Sequence, residues 1–137
     1  MTSASARAAA TYHEVDVSSR SPLELVVLVY DETLEALRAA HTAIDRRDLA
    51  GKAAPVSRAL GLLGQLLASL DMEQGAEVAA RLDALYTYVL FRISEANVTL
   101  RTEPLDDAIR LLLPLRNAWA ELARREAAQV GSREGQR

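Results

Sequence analysis

The chain contains no cysteine, only two histidines and few aromatic residues, 4% of its 137 positions. The missing cysteine excludes disulfides, thiolate metal sites and cysteine nucleophiles together. His13 and His41 are too few for a multi-histidine metal centre within one chain. No glutamate is followed three residues later by histidine, which excludes the paired Glu-x-x-His ligands of di-metal helical bundles. There is no Gly-rich phosphate loop, and no serine is placed beside a candidate base. Lys and Arg total 16 against 19 Asp and Glu, for a net charge of -3 with the signs interspersed. A dedicated phosphate-binding surface needs clustered cations, so nucleic acid is not an expected partner. No run of about 18 apolar residues occurs, so no membrane span is expected. Residues 1 to 12 carry one Arg7 and a short Ala8-Ala9-Ala10, too short and too polar for a signal-peptide core. This is compatible with a reducing cytoplasm.

What is present is aliphatic: 50% of residues are hydrophobic, dominated by Leu and Ala, enough for the core of one domain. The first helix is expected from Ser21, with Pro22 in the first turn and Glu24 three residues after the cap. It should carry Tyr30, Leu34, Leu37 and Ile44 on one face to about Asp48. A second is expected from about Pro55 to Leu70, with Leu60, Leu63, Leu67 and Leu70 as its stripe. Gly61 and Gly64 weaken that helix, and close approach of a neighbouring backbone would compensate. A third runs from Gly75 or Ala76 to about Leu100, carrying Val78, Leu82, Val89 and Ile93. The fourth opens at Thr102-Glu103-Pro104, includes Leu105, Leu112, Trp119 and Leu122, and is expected to kink at Pro114. Residues 1–11 and 127–137 read as weakly ordered tails around a domain of residues 12–126. The fold class is all-α, an antiparallel up-and-down four-helix bundle with an additional N-terminal segment.

The helices carry more apolar surface than a bundle core requires. Between Leu23 and Tyr30 nearly every direction is apolar, whereas a core-facing helix needs about three positions in seven. Leu62 and Leu66 lie on a flank beside the main stripe of the second helix, and Leu111-Leu112-Leu113 are consecutive. Isolated exposed leucines are ordinary, but excess on three helices points to a hydrophobic groove for an apolar segment of a partner. Tyr86 and Tyr88 point about 200° apart, so one is core and the other exposed. His41 alone could serve a phosphotransfer module, although Thr42-Ala43-Ile44-Asp45 does not resemble the Lys and Gly such modules place after their histidine.

A set of short motifs is more specific than amphipathic helices need. Tyr12, Ser21-Pro22 and Val29-Tyr30-Asp31 are followed by Leu70-Asp71, Gly75, Glu77 and Ala79. Then come Leu85-Tyr86, Tyr88, Ala96-Asn97, Leu115-Arg116 and Ala118-Trp119. In order and spacing, over roughly residues 11 to 123, the chain resembles the flagellar export chaperones of the FliS family. It departs from that pattern at Ala76, where a second Gly is usual, at Val29, where the family has Leu, and at Thr87, where it has Asp.

The resemblance implies a cytoplasmic, non-enzymatic, cofactor-free chaperone with an antiparallel helical bundle. Its client would be the otherwise disordered C-terminal segment of flagellin, held in apolar grooves until type III secretion, with other flagellar export components as further partners. Such a segment offsets its ordering cost with a long apolar track. Groove candidates are Tyr12, Val15, Leu25, Leu62, Leu66, Tyr88, Asn97 and Leu111, with Tyr12 and Val15 as a displaceable lid. Asn97 could bind client backbone or satisfy the turn into the fourth helix. The alternatives are a chaperone of another type III substrate and a phosphotransfer module using His41. A monomer or a weak homodimer is expected.

Overall fold

The computed structural model describes residues 20–135, which form four helices: α1 (Pro22–Asp45), α2 (Leu49–Ala68), α3 (Ala76–Thr99) and α4 (Glu103–Gly135). α1 packs on α2 and α4, and α3 closes the ring against the same two, so that α1 and α3 face each other across a diagonal. Tight connections reverse the chain each time, which makes all neighbours antiparallel.

Each junction has a local cause. The Ser21 hydroxyl accepts the Glu24 amide at 3.2 Å and Pro22 takes the first turn, as the sequence predicts. α1 stops at Asp45, short of the expected Asp48, because Arg47 turns into the left-handed region at φ 59° and Asp48 instead caps α2. Its carboxylate accepts the Gly51 amide at 2.9 Å, and a Cβ at Gly51 would lie 2.1 Å from that carboxylate. α2 therefore starts at Leu49, six residues before the expected Pro55. The proline is tolerated inside the helix because the carbonyl it leaves unpaired belongs to solvent-exposed Gly51.

The α2–α3 turn accounts for much of the Leu70–Ala79 motif. Asp71 Oδ1 accepts the amides of Glu73 and Gln74 at 3.1 and 3.0 Å, and the Asp71 carbonyl accepts the Gly75 amide at 2.7 Å. A Cβ on Gly75 would sit 2.7 Å from that carbonyl and 2.8 Å from the Ala79 methyl, so only glycine fits. Ala76 then enters α3 at φ 41°, a left-handed conformation disfavoured for any residue but glycine. α3 ends on Leu100 at φ 60°, and the Thr102 carbonyl receives the amides of Leu105 and Asp106 at the start of α4.

The core is one cluster built from Tyr30, Leu37, Leu63, Val89, Ile93, Leu105 and Leu112. Several expected stripe positions differ. Val78 and Leu122 are exposed at 64% and 45%, and Ala79 and Ala123 are buried in the adjacent helical positions. On α2 the buried face is shifted from the expected stripe: Leu63 is fully buried as expected, the flank residues Leu62 and Leu66 are buried beside it, and Leu60, Leu67 and Leu70 are only partly so. The cause is the rotation of α2 toward α1, the largest contact in the bundle. Gly61 and Gly64 have nothing within 4 Å of an added Cβ, so no close backbone approach compensates them. α4 passes through Pro114 unbroken and continues as helix through 127–135, where the sequence suggests a weakly ordered tail; from Arg124 onward every described residue is exposed.

Candidate functional site

The surplus apolar residues of α1 and the rotation of α2 leave a groove along one end of the bundle. Its first part, of about 240 Å³, lies between α1 and α2 and is walled by Leu25, Val26, Val29 and Leu66. A second part, of about 250 Å³, shares Val26, Leu66 and Ser69 and continues to Leu70, Val78, Leu82, Tyr86 and Trp119. The two adjoining clefts make a bent apolar track touching all four helices. A cleft at the other end is bordered by Asp45, Arg47, Arg101 and Glu103, whose mixed charges favour water.

Beneath the second cleft, the Tyr30 and Tyr86 hydroxyls meet at 2.6 Å with ring centroids 6.4 Å apart. Burial pushes the Tyr30 hydroxyl above the usual phenol range, and it pushes Tyr86 further, reinforced by the bond to Tyr30. The Trp119 indole N–H is close enough to favour the Tyr30 phenolate, yet it is buried without a normal hydrogen bond. The groove floor thus has three polar atoms with little hydration, in an otherwise aliphatic wall.

Of the residues expected in a groove, Leu25 and Leu66 line it. Leu62 is buried on the same helix. Tyr88 projects from the other side of α3, 45% exposed, and donates its hydroxyl to Asp107 at 2.7 Å, which settles that Tyr86 is the core tyrosine. Arg92 and Arg110 also bind Asp107, and its carboxyl is held below the usual range, first by the Tyr88 hydrogen bond and then by Arg110. Asn97 accepts the Lys52 ammonium on both its carbonyl and its side-chain oxygen, at 2.6 and 2.8 Å, which ties the end of α3 to α2. Leu111 packs against the core from α4. Tyr12 and Val15 lie outside the described residues. Val26, Val78 and Leu82 were missed as groove residues because their periodicity reads as core. Leu70 and Trp119 were read as positions of the helix stripes and as pieces of the family motif, not as groove residues.

His41 Nε2 is paired with Asp106 at 3.0 Å. A phosphoryl group approaching that nitrogen would meet a carboxylate, so the geometry does not favour phosphotransfer. Among the described residues no three or more His, Asp or Glu side chains cluster to hold a metal ion. None of the described helices is long and apolar enough to cross a membrane.

Comparison with known proteins agrees with the reading of the motifs. The family model for flagellar protein FliS matches residues 4–126. A flagellar secretion chaperone FliSB of Pseudomonas aeruginosa is 37% identical over 77% of this chain and 84% of its own length. The flagellar secretion chaperone FliS of Salmonella typhimurium is 29% identical over 85% of this chain and 87% of its own. The FliS of Bacillus subtilis is 25% identical over 84% and 85%. With a family model matched over residues 4–126 and relatives aligned over most of their length and of this chain's, the chain belongs to the FliS family of flagellar secretion chaperones.

Proposed function

We propose that this protein is a cytoplasmic export chaperone that holds the C-terminal segment of flagellin and keeps it from polymerising before type III secretion. The observation that carries the reading is the continuous apolar track from Leu25 through Leu66 to Trp119, accessible from solvent and free of charged side chains along its walls apart from Asp71. A client segment with apolar residues at helical spacing would bury them there. Binding needs no nucleotide, because the energy comes from removing apolar surface from water on both partners.

The test is calorimetric titration of the full chain with the C-terminal segment of flagellin from the same genome. Saturable one-to-one binding with a negative heat-capacity change is expected. Absence of binding to a folded protein would overturn the flagellin assignment and transfer the groove to another exported substrate.

A further inference from the structure

Three donor hydrogens converge under the second cleft, and only two of them have an oxygen to meet. Tyr30 and Tyr86 hold their hydroxyls 2.6 Å apart, so one O–H hydrogen lies between the two oxygens. Two hydrogens cannot share that line, and the second hydroxyl hydrogen has no acceptor among the described residues. The Trp119 indole N–H, which can only donate, approaches the Tyr30 oxygen and is buried without a full hydrogen bond of its own. It orders the set. With the indole hydrogen toward the Tyr30 oxygen, the Tyr30 hydrogen goes to the Tyr86 oxygen and the Tyr86 hydrogen is left over. Tyr86 is the member of the tyrosine pair that lines the cleft, whereas Tyr30 is fully buried beneath it. The surplus donor therefore belongs to the wall that a bound segment would cover.

We infer that Tyr86 donates its hydroxyl hydrogen to a neutral oxygen of the bound client, and that this one polar contact fixes the client's register in an otherwise apolar cleft. The inference rests on the flagellin reading above and adds the class of group the cleft recognises. Apolar walls accept any segment with suitable spacing, because burial of apolar area has no direction. A buried donor does have one: a register that brings a methyl group to it leaves the hydroxyl hydrogen unmatched and loses the bond. The oxygen is uncharged. A carboxylate would be stripped of water against a single donor, and Asp71 on the same cleft wall would repel it. Two sources supply a neutral oxygen. One is a main-chain carbonyl in the last turn of a client helix, where carbonyls have no partner inside the helix; the other is the side chain of an Asn, Gln, Ser or Thr. The donors run one way, from Trp119 through Tyr30 to Tyr86, so each bond polarises the next and strengthens the last.

Calorimetric titration of the full chain and of its Tyr86→Phe and Tyr30→Phe variants with the C-terminal segment of flagellin from the same genome tests it. Both substitutions break the same bond between the tyrosines and keep the ring, but only Tyr86→Phe removes the cleft donor. Tyr86→Phe should raise the dissociation constant about tenfold, and Tyr30→Phe should leave it within about threefold. A purely structural role would weaken the two alike. Should Tyr86→Phe lose helicity, Tyr30→Phe against the double variant makes the same comparison, because those two differ only in the Tyr86 hydroxyl. Alanine replacement of each Asn, Gln, Ser and Thr of the segment separates the sources. A position whose replacement weakens binding to the parent chain but not to Tyr86→Phe identifies a side chain, and a Tyr86→Phe loss without such a position identifies a main-chain carbonyl. Equal losses in the two variants, or a Tyr86→Phe affinity within about twofold of the parent, would overturn the contact while leaving flagellin as the client. A parent chain that does not bind the segment would overturn both.

Discussion

The hydroxyl of Tyr30 on α1 meets that of Tyr86 on α3 at 2.6 Å, the only side-chain hydrogen bond the structure gives between these diagonal helices among the described residues. Both rings are buried, at 0% and 2% exposure, so each hydroxyl is the other's substitute for water. Removing one should leave an unsatisfied polar group, at a cost of about 1–3 kcal/mol, whereas removing both should cost less than the sum. Urea unfolding of Tyr30→Phe, Tyr86→Phe and the double variant measures the coupling; strictly additive losses would show that the pair is not one unit.

The same pair sets an alkaline limit. Burial raises both hydroxyls in the folded state, so folding retains protons that the unfolded chain gives up. Their contribution is therefore complete below about pH 10, the ordinary tyrosine value, and is lost as pH rises through the higher folded-state values. Unfolding free energies measured upward from pH 8 should fall above pH 10, and the fall should be shallower in the double Phe variant.

Ala76 occupies a left-handed position, φ 41°, a conformation that glycine adopts without steric cost. Ala76→Gly should stabilise the fold by about 1 kcal/mol, because relief of strain outweighs the added freedom of the unfolded chain. A lower urea midpoint in this variant would show that the Ala76 methyl has a packing role that offsets its backbone.

Groove residues separate by depth. Val78 is 64% exposed at the rim, so Val78→Glu should keep the unfolding midpoint within about 0.5 kcal/mol and weaken flagellin-segment binding roughly tenfold. Leu66 is 5% exposed and part of the core, so Leu66→Glu should unfold the bundle along with the site. Circular dichroism and calorimetry on both variants check the division.

The end of α4 makes no buried contact after Ala123. Removal of residues 127–137 should therefore lower helical content while leaving the urea midpoint unchanged within about 0.5 kcal/mol. A clear drop in the midpoint would show that the overhang supports the bundle.

The fold was legible in the sequence wherever local chemistry acts alone. Ser21-Pro22, Gly75 and Glu103-Pro104 mark helix starts through caps, sterics and dipoles that involve only near neighbours. Where two local signals competed, the reading went astray: Pro55 suggested a first turn, but Asp48 had already capped the helix. The groove was legible only as an excess. Leu25 and Leu66, singled out from that excess, line the apolar clefts, but Val78 was read as core because its spacing fits both faces of α3.

The sequence by itself determined an all-α chain with four amphipathic segments, their order, their caps and a family-specific set of motifs, because these depend on composition and on neighbours within a few positions. Only the tertiary structure decided that Tyr86 and not Tyr88 is buried, that α2 turns Leu62 and Leu66 inward, and that Asn97 anchors Lys52. Each of these depends on the rotation of one helix against another. Periodicity defines a stripe to within about one position, 100° on the helix, and packing against the neighbouring helices selects the final angle.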